Sequence, residues 1–140
     1  RRQRQMCIRD RYTVGILKTL PGIRKYVAID GGMSDNIRTA LYHAEYEPVI
    51  ANKAGQPRTE IVTLCGKHCE SGDAVALDAS IQHPDLGDIV CVFGTGAYCH
   101  SMSSNYNGQP RPGIVFVKDG VARLVTRRET YDDLMACDID

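Results

Sequence analysis

The sequence predicts a mostly β domain, an antiparallel β barrel or sandwich with short helices. Two observations carry this. Val- and Ile-rich runs recur about every ten to fifteen residues, each bounded by Gly, Pro, Asp or Ser, and no strand-helix-strand alternation interrupts them.

Taken in order, residues 12–18 mix Tyr, Val and Ile at strand spacing, and Leu20-Pro21-Gly22 turns the chain. Residues 23–30 then run into Gly31-Gly32, a pair that permits a tight backbone turn. Ser34, Asp35 and Asn36 stand where they would cap a short helix over residues 37–44. On such a helix Arg38 and Tyr42 are four apart and share a face, which suits either a grip on a carboxylate or an ordinary surface stack. Further strands are expected at 47–50, 59–64, 74–78 and 88–93. Gly94-Thr95-Gly96-Ala97-Tyr98 lacks the third glycine of a dinucleotide fingerprint, so a Rossmann site is excluded. It reads as a glycine-rich β corner, or as a place where backbone and a Tyr hydroxyl approach a ligand. A long polar loop follows over 101–112, of a length often functional. Asp119-Gly120 between two β-rich runs predicts a two-residue type I′ hairpin. Thr126 and Glu129 have capping-box spacing, which predicts a short helix over 129–136.

The 140-residue chain fits one domain. No apolar run approaches the roughly 20 residues that cross a bilayer, and no signal-peptide pattern opens the chain, so no membrane partner and a cytoplasmic location are expected. Net charge is zero but uneven. Residues 1–11 hold five arginines against Asp10, which leaves 12 basic and 16 acidic groups in residues 12–140, a balance of −4. An acidic body offers no footprint for nucleic acid. Residues 1–11 show neither strand nor helix period and are set apart as a non-native or disordered basic arm, with the β domain over 12–140. The six cysteines, at 7, 65, 69, 91, 99 and 137, are expected to be thiols.

Cys65-Gly-Lys-His-Cys69-Glu70-Ser71-Gly72-Asp73 packs two thiols, an imidazole and two carboxylates into one short segment. Three readings stand side by side: a zinc site built on Cys65, His68 and Cys69, a plain strand-to-strand loop, or a loop with Cys69 as proton donor and Glu70 as reader of a cation. His100 next to Cys99 has no assigned role.

Four segments, 27–42, 66–73, 94–107 and 127–134, resemble in order and spacing the C-terminal β domain of the diaminopimelate decarboxylase family, part of the alanine racemase-like class of pyridoxal phosphate enzymes. The resemblance covers 12–140. It implies an enzyme with an N-terminal (β/α)8 barrel, absent from this sequence, that holds pyridoxal 5'-phosphate, a β domain that completes the site across a homodimer, and removal of carbon dioxide from meso-diaminopimelate to give L-lysine. By position, Arg38 and Tyr42 look like the pair that binds the distal carboxylate. Cys69 looks like the residue of proton transfer and Glu70 like the reader of the distal amino group, both serving the neighbouring subunit. Tyr98 looks like the cofactor phosphate contact and a substrate-site residue. No lysine here matches the cofactor lysine of the family, so the chain is expected to be a fragment, inactive alone and prone to self-association. The alternatives are an ornithine, arginine or carboxynorspermidine decarboxylase, or a non-catalytic β module with structural zinc.

Overall fold

Alternation of apolar residues builds one wall. Along β2 (Arg24–Ile29) Val27 and Ile29 point inward, and along β6 (Ile89–Phe93) Val90 and Val92 do so. With Tyr12, Val14, Ile50, Val62, Leu64, Val75 and Ile81 they form a single core. The computed structural model describes residues 9–139.

The strands are β1 (Arg9–Leu20), β2, β3 (Glu47–Ile50), β4 (Glu60–Cys65), β5 (Ala74–Ile81) and β6, in the spatial order β3-β6-β1-β2-β4-β5. β1 is long because it serves two neighbours: 9–13 pair with β6, and Val14 onward pairs with β2, with a register shift between Val14 and Ile16. The edges nearly close. Buried Gln82, just after β5, accepts through Oε1 a 3.0 Å bond from Ile50 N of β3. Arg58 spans the same seam, bonded to Glu47 Oε1 at 2.6 Å and Ser80 O at 3.3 Å. A separate two-stranded sheet, β7 (Ile114–Lys118) and β8 (Val121–Thr126), follows. The helices are α1 (Arg38–Tyr42), α2 (Gly96–Met102) and α3 (Tyr131–Leu134). Among the described residues no helix is long and apolar enough to cross a membrane.

Most expected strands stand within a residue or two, and the hairpin turns where expected, with φ of 51° at Asp119 and 77° at Gly120. Four expectations are corrected. The barrel is not wholly antiparallel, since β2 and β4 run parallel (Tyr26↔Thr63, Val27↔Leu64). The first strand begins at Arg9, not residue 12, because β6 supplies a pairing edge as far as Phe93; residues 1–8 of the expected arm lie outside the described residues. The Gly94–98 segment is no β corner, because Gly96 opens α2. The capping box is Thr130 with Asp133, not Thr126 with Glu129: Thr126 is paired in β8, and Glu129 is taken by Arg111.

Candidate functional site

Strand direction decides which loops meet. β1 is antiparallel to both β2 and β6, and β4 is parallel to β2, so β2, β4 and β6 all point the same way. The segments that follow them, 30–37, 66–73 and 94–108, therefore leave one end of the barrel together. These are three of the four segments that carry the family resemblance.

The first is a turn in which Asp35 N and Asn36 N both bond Gly32 O, at 2.9 and 3.0 Å. Its glycines are needed for space: neither has a positive φ, but a Cβ on Gly31 would lie 2.1 Å from the Tyr12 ring and one on Gly32 2.6 Å from Asp73 Oδ1. Asn36 Oδ1 accepts from Arg38 N at 3.2 Å and so leads into α1, whose N-cap, Ile37, has no side-chain cap.

Arg38 lies between two aromatic faces. Its guanidinium carbon is 5.2 Å from the ring centroid of Tyr42 and 5.2 Å from that of Tyr98 on α2, and Nη1 is 4.0 Å from Met102 Sδ. Cation–π contacts of this kind are worth about 0.5–1 kcal/mol each when exposed and set the plane of the fork. No carboxylate pairs with Arg38 among the described residues. Tyr42 and Tyr98 are 59% and 69% exposed, so the trio is open to a ligand. Beneath it, Tyr46 Oη is 3.6 Å from Cys99 Sγ, and burial pushes up both the phenol and the thiol.

Cys69 and Glu70 are exposed on the second loop, where Glu70 Oε1 accepts from Gly72 N at 3.3 Å. Among the described residues no hydrogen bond, ion pair or ring contact joins them to Arg38, Tyr42 or Tyr98. Expected site residues thus form two groups at one end of the barrel. Asp73, which sequence reasoning left without a role, ties the second loop to the first turn: its buried carboxylate accepts from Met33 N at 2.6 Å and His68 N at 2.7 Å. The signal for it is Gly32 and Gly66, which both leave room for that carboxylate, and their neighbourhood is invisible before folding.

No three His, Cys, Asp or Glu side chains are gathered for a metal ion among the described residues, so the zinc alternative finds no site there. Cys65 instead directs its thiol at Val27 O, 3.7 Å away. Behind the turn, burial and the charge of Asp35 raise Asp10 from an ordinary 3.8 to about 6, and burial raises Asp35 as well.

A near-closed β barrel with this loop cluster defines the class: the chain matches, over residues 6–96, the family described as pyridoxal-dependent decarboxylase, C-terminal sheet domain. It belongs to that family. It is 52% identical over 128 residues to the diaminopimelate decarboxylase of Bacillus subtilis, with 91% of this chain and 29% of that protein covered. For the enzyme of Halalkalibacterium halodurans the identity is 48%, over 91% of this chain and 29% of that one. The solved diaminopimelate decarboxylase of M. jannaschii in co-complex with L-lysine superposes with a TM-score of 0.84 at 34% identity, over 94% of this chain and 30% of that one. The chain thus spans about three-tenths of the length of the relatives it matches.

Proposed function

We propose that the chain is the C-terminal domain of a diaminopimelate decarboxylase, a homodimeric, cytoplasmic, pyridoxal phosphate-dependent carboxy-lyase that converts meso-2,6-diaminopimelate to L-lysine and carbon dioxide. The relatives named for that activity support it. The observation that carries it is Arg38 held between Tyr42 and Tyr98 with, among the described residues, no carboxylate on its fork. A guanidinium presented in this way is matched to an incoming carboxylate, and the charge-assisted, bidentate pair gives both strength and orientation.

In this reading Arg38 and Tyr42 bind the distal carboxylate of the substrate. Glu70 takes the distal ammonium, and Cys69 carries the proton to the reacting carbon. Their exposure on the second loop supports a role in the site of a second copy. Tyr98 borders the substrate and holds the cofactor phosphate: its exposed phenol is a donor that fits that anion. When bound, the pyridinium ring supplies the electron sink for carbon dioxide loss.

The test is a chimera in which residues 9–139 replace the equivalent domain of the Bacillus subtilis relative. The expected result is release of carbon dioxide from meso-diaminopimelate in preference to ornithine and arginine, with Arg38→Ala lowering kcat/KM by about 10²-fold or more. A folded, cofactor-loaded chimera that leaves diaminopimelate intact overturns the reading.

A further inference from the structure

The loop that carries Cys69 and Glu70 is held in two separate ways. Its base is closed by backbone and by Asp73: Gly66 N bonds Asp73 O at 2.9 Å, Lys67 N bonds Gly31 O at 3.0 Å, and the Asp73 carboxylate takes Met33 N and His68 N. Its outer part depends on a side chain. The His68 ring, one residue before Cys69, places Nε2 2.8 Å from Ser34 Oγ and Nδ1 3.5 Å from Asn107 Nδ2, and packs edge-on against Tyr106 with centroids 5.3 Å apart. With Asn107 donating to Nδ1, Nε2 is left to donate to Ser34, so both ring nitrogens are used. Ser34 is itself buried and accepts Ser104 N through its carbonyl at 2.9 Å.

One imidazole therefore joins three segments. The turn of Ser34 leads into Arg38 and Tyr42, the loop of His68 carries Cys69 and Glu70, and Ser104 to Asn107 follow the helix of Tyr98. We propose that His68 is a positioning residue that holds the Cys69–Glu70 loop in register with the Arg38 turn. This rests on the function proposed above. A rigid ring bonded at two opposite nitrogens transmits position better than a flexible chain, and misplacement of a reacting group by about 1 Å costs on the order of 10²-fold in rate. The base of the loop closes without the ring, so removal of the imidazole displaces the loop and leaves the fold in place.

Two arms test this. In the 140-residue chain, amide exchange is compared for the parent, His68→Ala, His68→Gln and Ser34→Ala. His68→Ala is expected to speed exchange at Glu70, Ser104 and Asn36 by about 10-fold while Val27 and Leu64 stay unchanged, since local openings are separable from global unfolding. His68→Gln, which keeps a donor for Ser34, is expected to restore most of the protection. Acceleration at Glu70 alone, or nowhere, overturns the junction. In the chimera, His68→Ala is expected to lower kcat and raise KM for diaminopimelate, each by about 3- to 10-fold, and the His68→Ala/Ser34→Ala double variant is expected to be no worse than either single one. A variant that merely lost folded protein would lower kcat at unchanged KM, and independent roles would add; either result overturns positioning. An inactive parent chimera defeats the proposed function instead, and the exchange arm still decides the role of His68.

Discussion

The barrel and the terminal hairpin are written in the same residues and behave differently. β4 reads Glu-Ile-Val-Thr-Leu-Cys and β8 reads Val-Ala-Arg-Leu-Val-Thr, yet Leu64 is fully buried while Leu124 is 62% exposed. Val115, Phe116 and Val117 of β7 and Val121 and Val125 of β8 are exposed too, on both faces of the ribbon. Its tail is held by polar contacts, with Glu129 taking Arg111 N at 2.8 Å and Asn105 Nδ2 at 2.6 Å, and Arg127 forking onto Asp133 at 2.5 and 2.6 Å. A β-rich run thus secures a strand but not a core. Burial requires a facing layer, which the barrel makes by curling on itself and a lone two-stranded ribbon cannot make.

The largest effect expected from this contrast is at Leu64: Leu64→Ala should lower unfolding stability by about 3–5 kcal/mol in urea titration, since it opens a cavity in a core that cannot collapse around it. Leu124→Ala, the same change in the hairpin, should stay within about 0.5 kcal/mol. A comparable loss at both would show that the hairpin is packed as the barrel is.

Next is Asp73→Asn at the end of the barrel where the three loops meet. An amide keeps one acceptor for two backbone donors and brings an N–H group against them, so a loss of about 2–3 kcal/mol is expected. Gly32→Ala should do similar damage, since its Cβ meets the same carboxylate.

A smaller effect is a pH dependence confined to the barrel. Asp10 is raised from 3.8 to about 6 in the fold by burial and then by Asp35, so the folded state binds more protons than the unfolded state between those values. Stability should therefore fall as pH rises from about 4 to 6, with the full penalty present above that window. Asp10→Asn should flatten this part of the profile in thermal melts across the range; an unchanged slope would assign it to another group. The hairpin carboxylates run the other way. Glu129 is lowered to about 2 by Arg111, so its contribution is present above its usual range and lost only as pH falls towards 2.

The smallest effect on stability, though not on solubility, is expected at Leu124→Lys. Sedimentation should show less self-association with unchanged unfolding, because the change breaks an exposed apolar patch and removes nothing from the core.

What could be read before folding was local. The Val and Ile runs defined strands, the Asp119-Gly120 pair defined a turn whose positive φ both residues tolerate, and the pairing of Arg38 with Tyr42 followed from helical spacing over a single turn. Tyr98 was named by position, but its place across Arg38 was not legible, since two segments sixty residues apart had to be brought together. Nor was the short helix at Gly96, where glycines that usually bend strands instead begin a helix.

The sequence by itself thus determined which stretches become strands and where the terminal hairpin turns, because those preferences arise within a few residues. Only the tertiary structure decided that β4 runs parallel to β2, which puts the Cys69 loop at the same end of the barrel as the Arg38 turn. Only it decided that the glycines there make room for Asp73 and for Tyr12. The physical reason is that strand direction and side-chain clearance are set by partners distant along the chain, whose cost and benefit exist only once the barrel has closed.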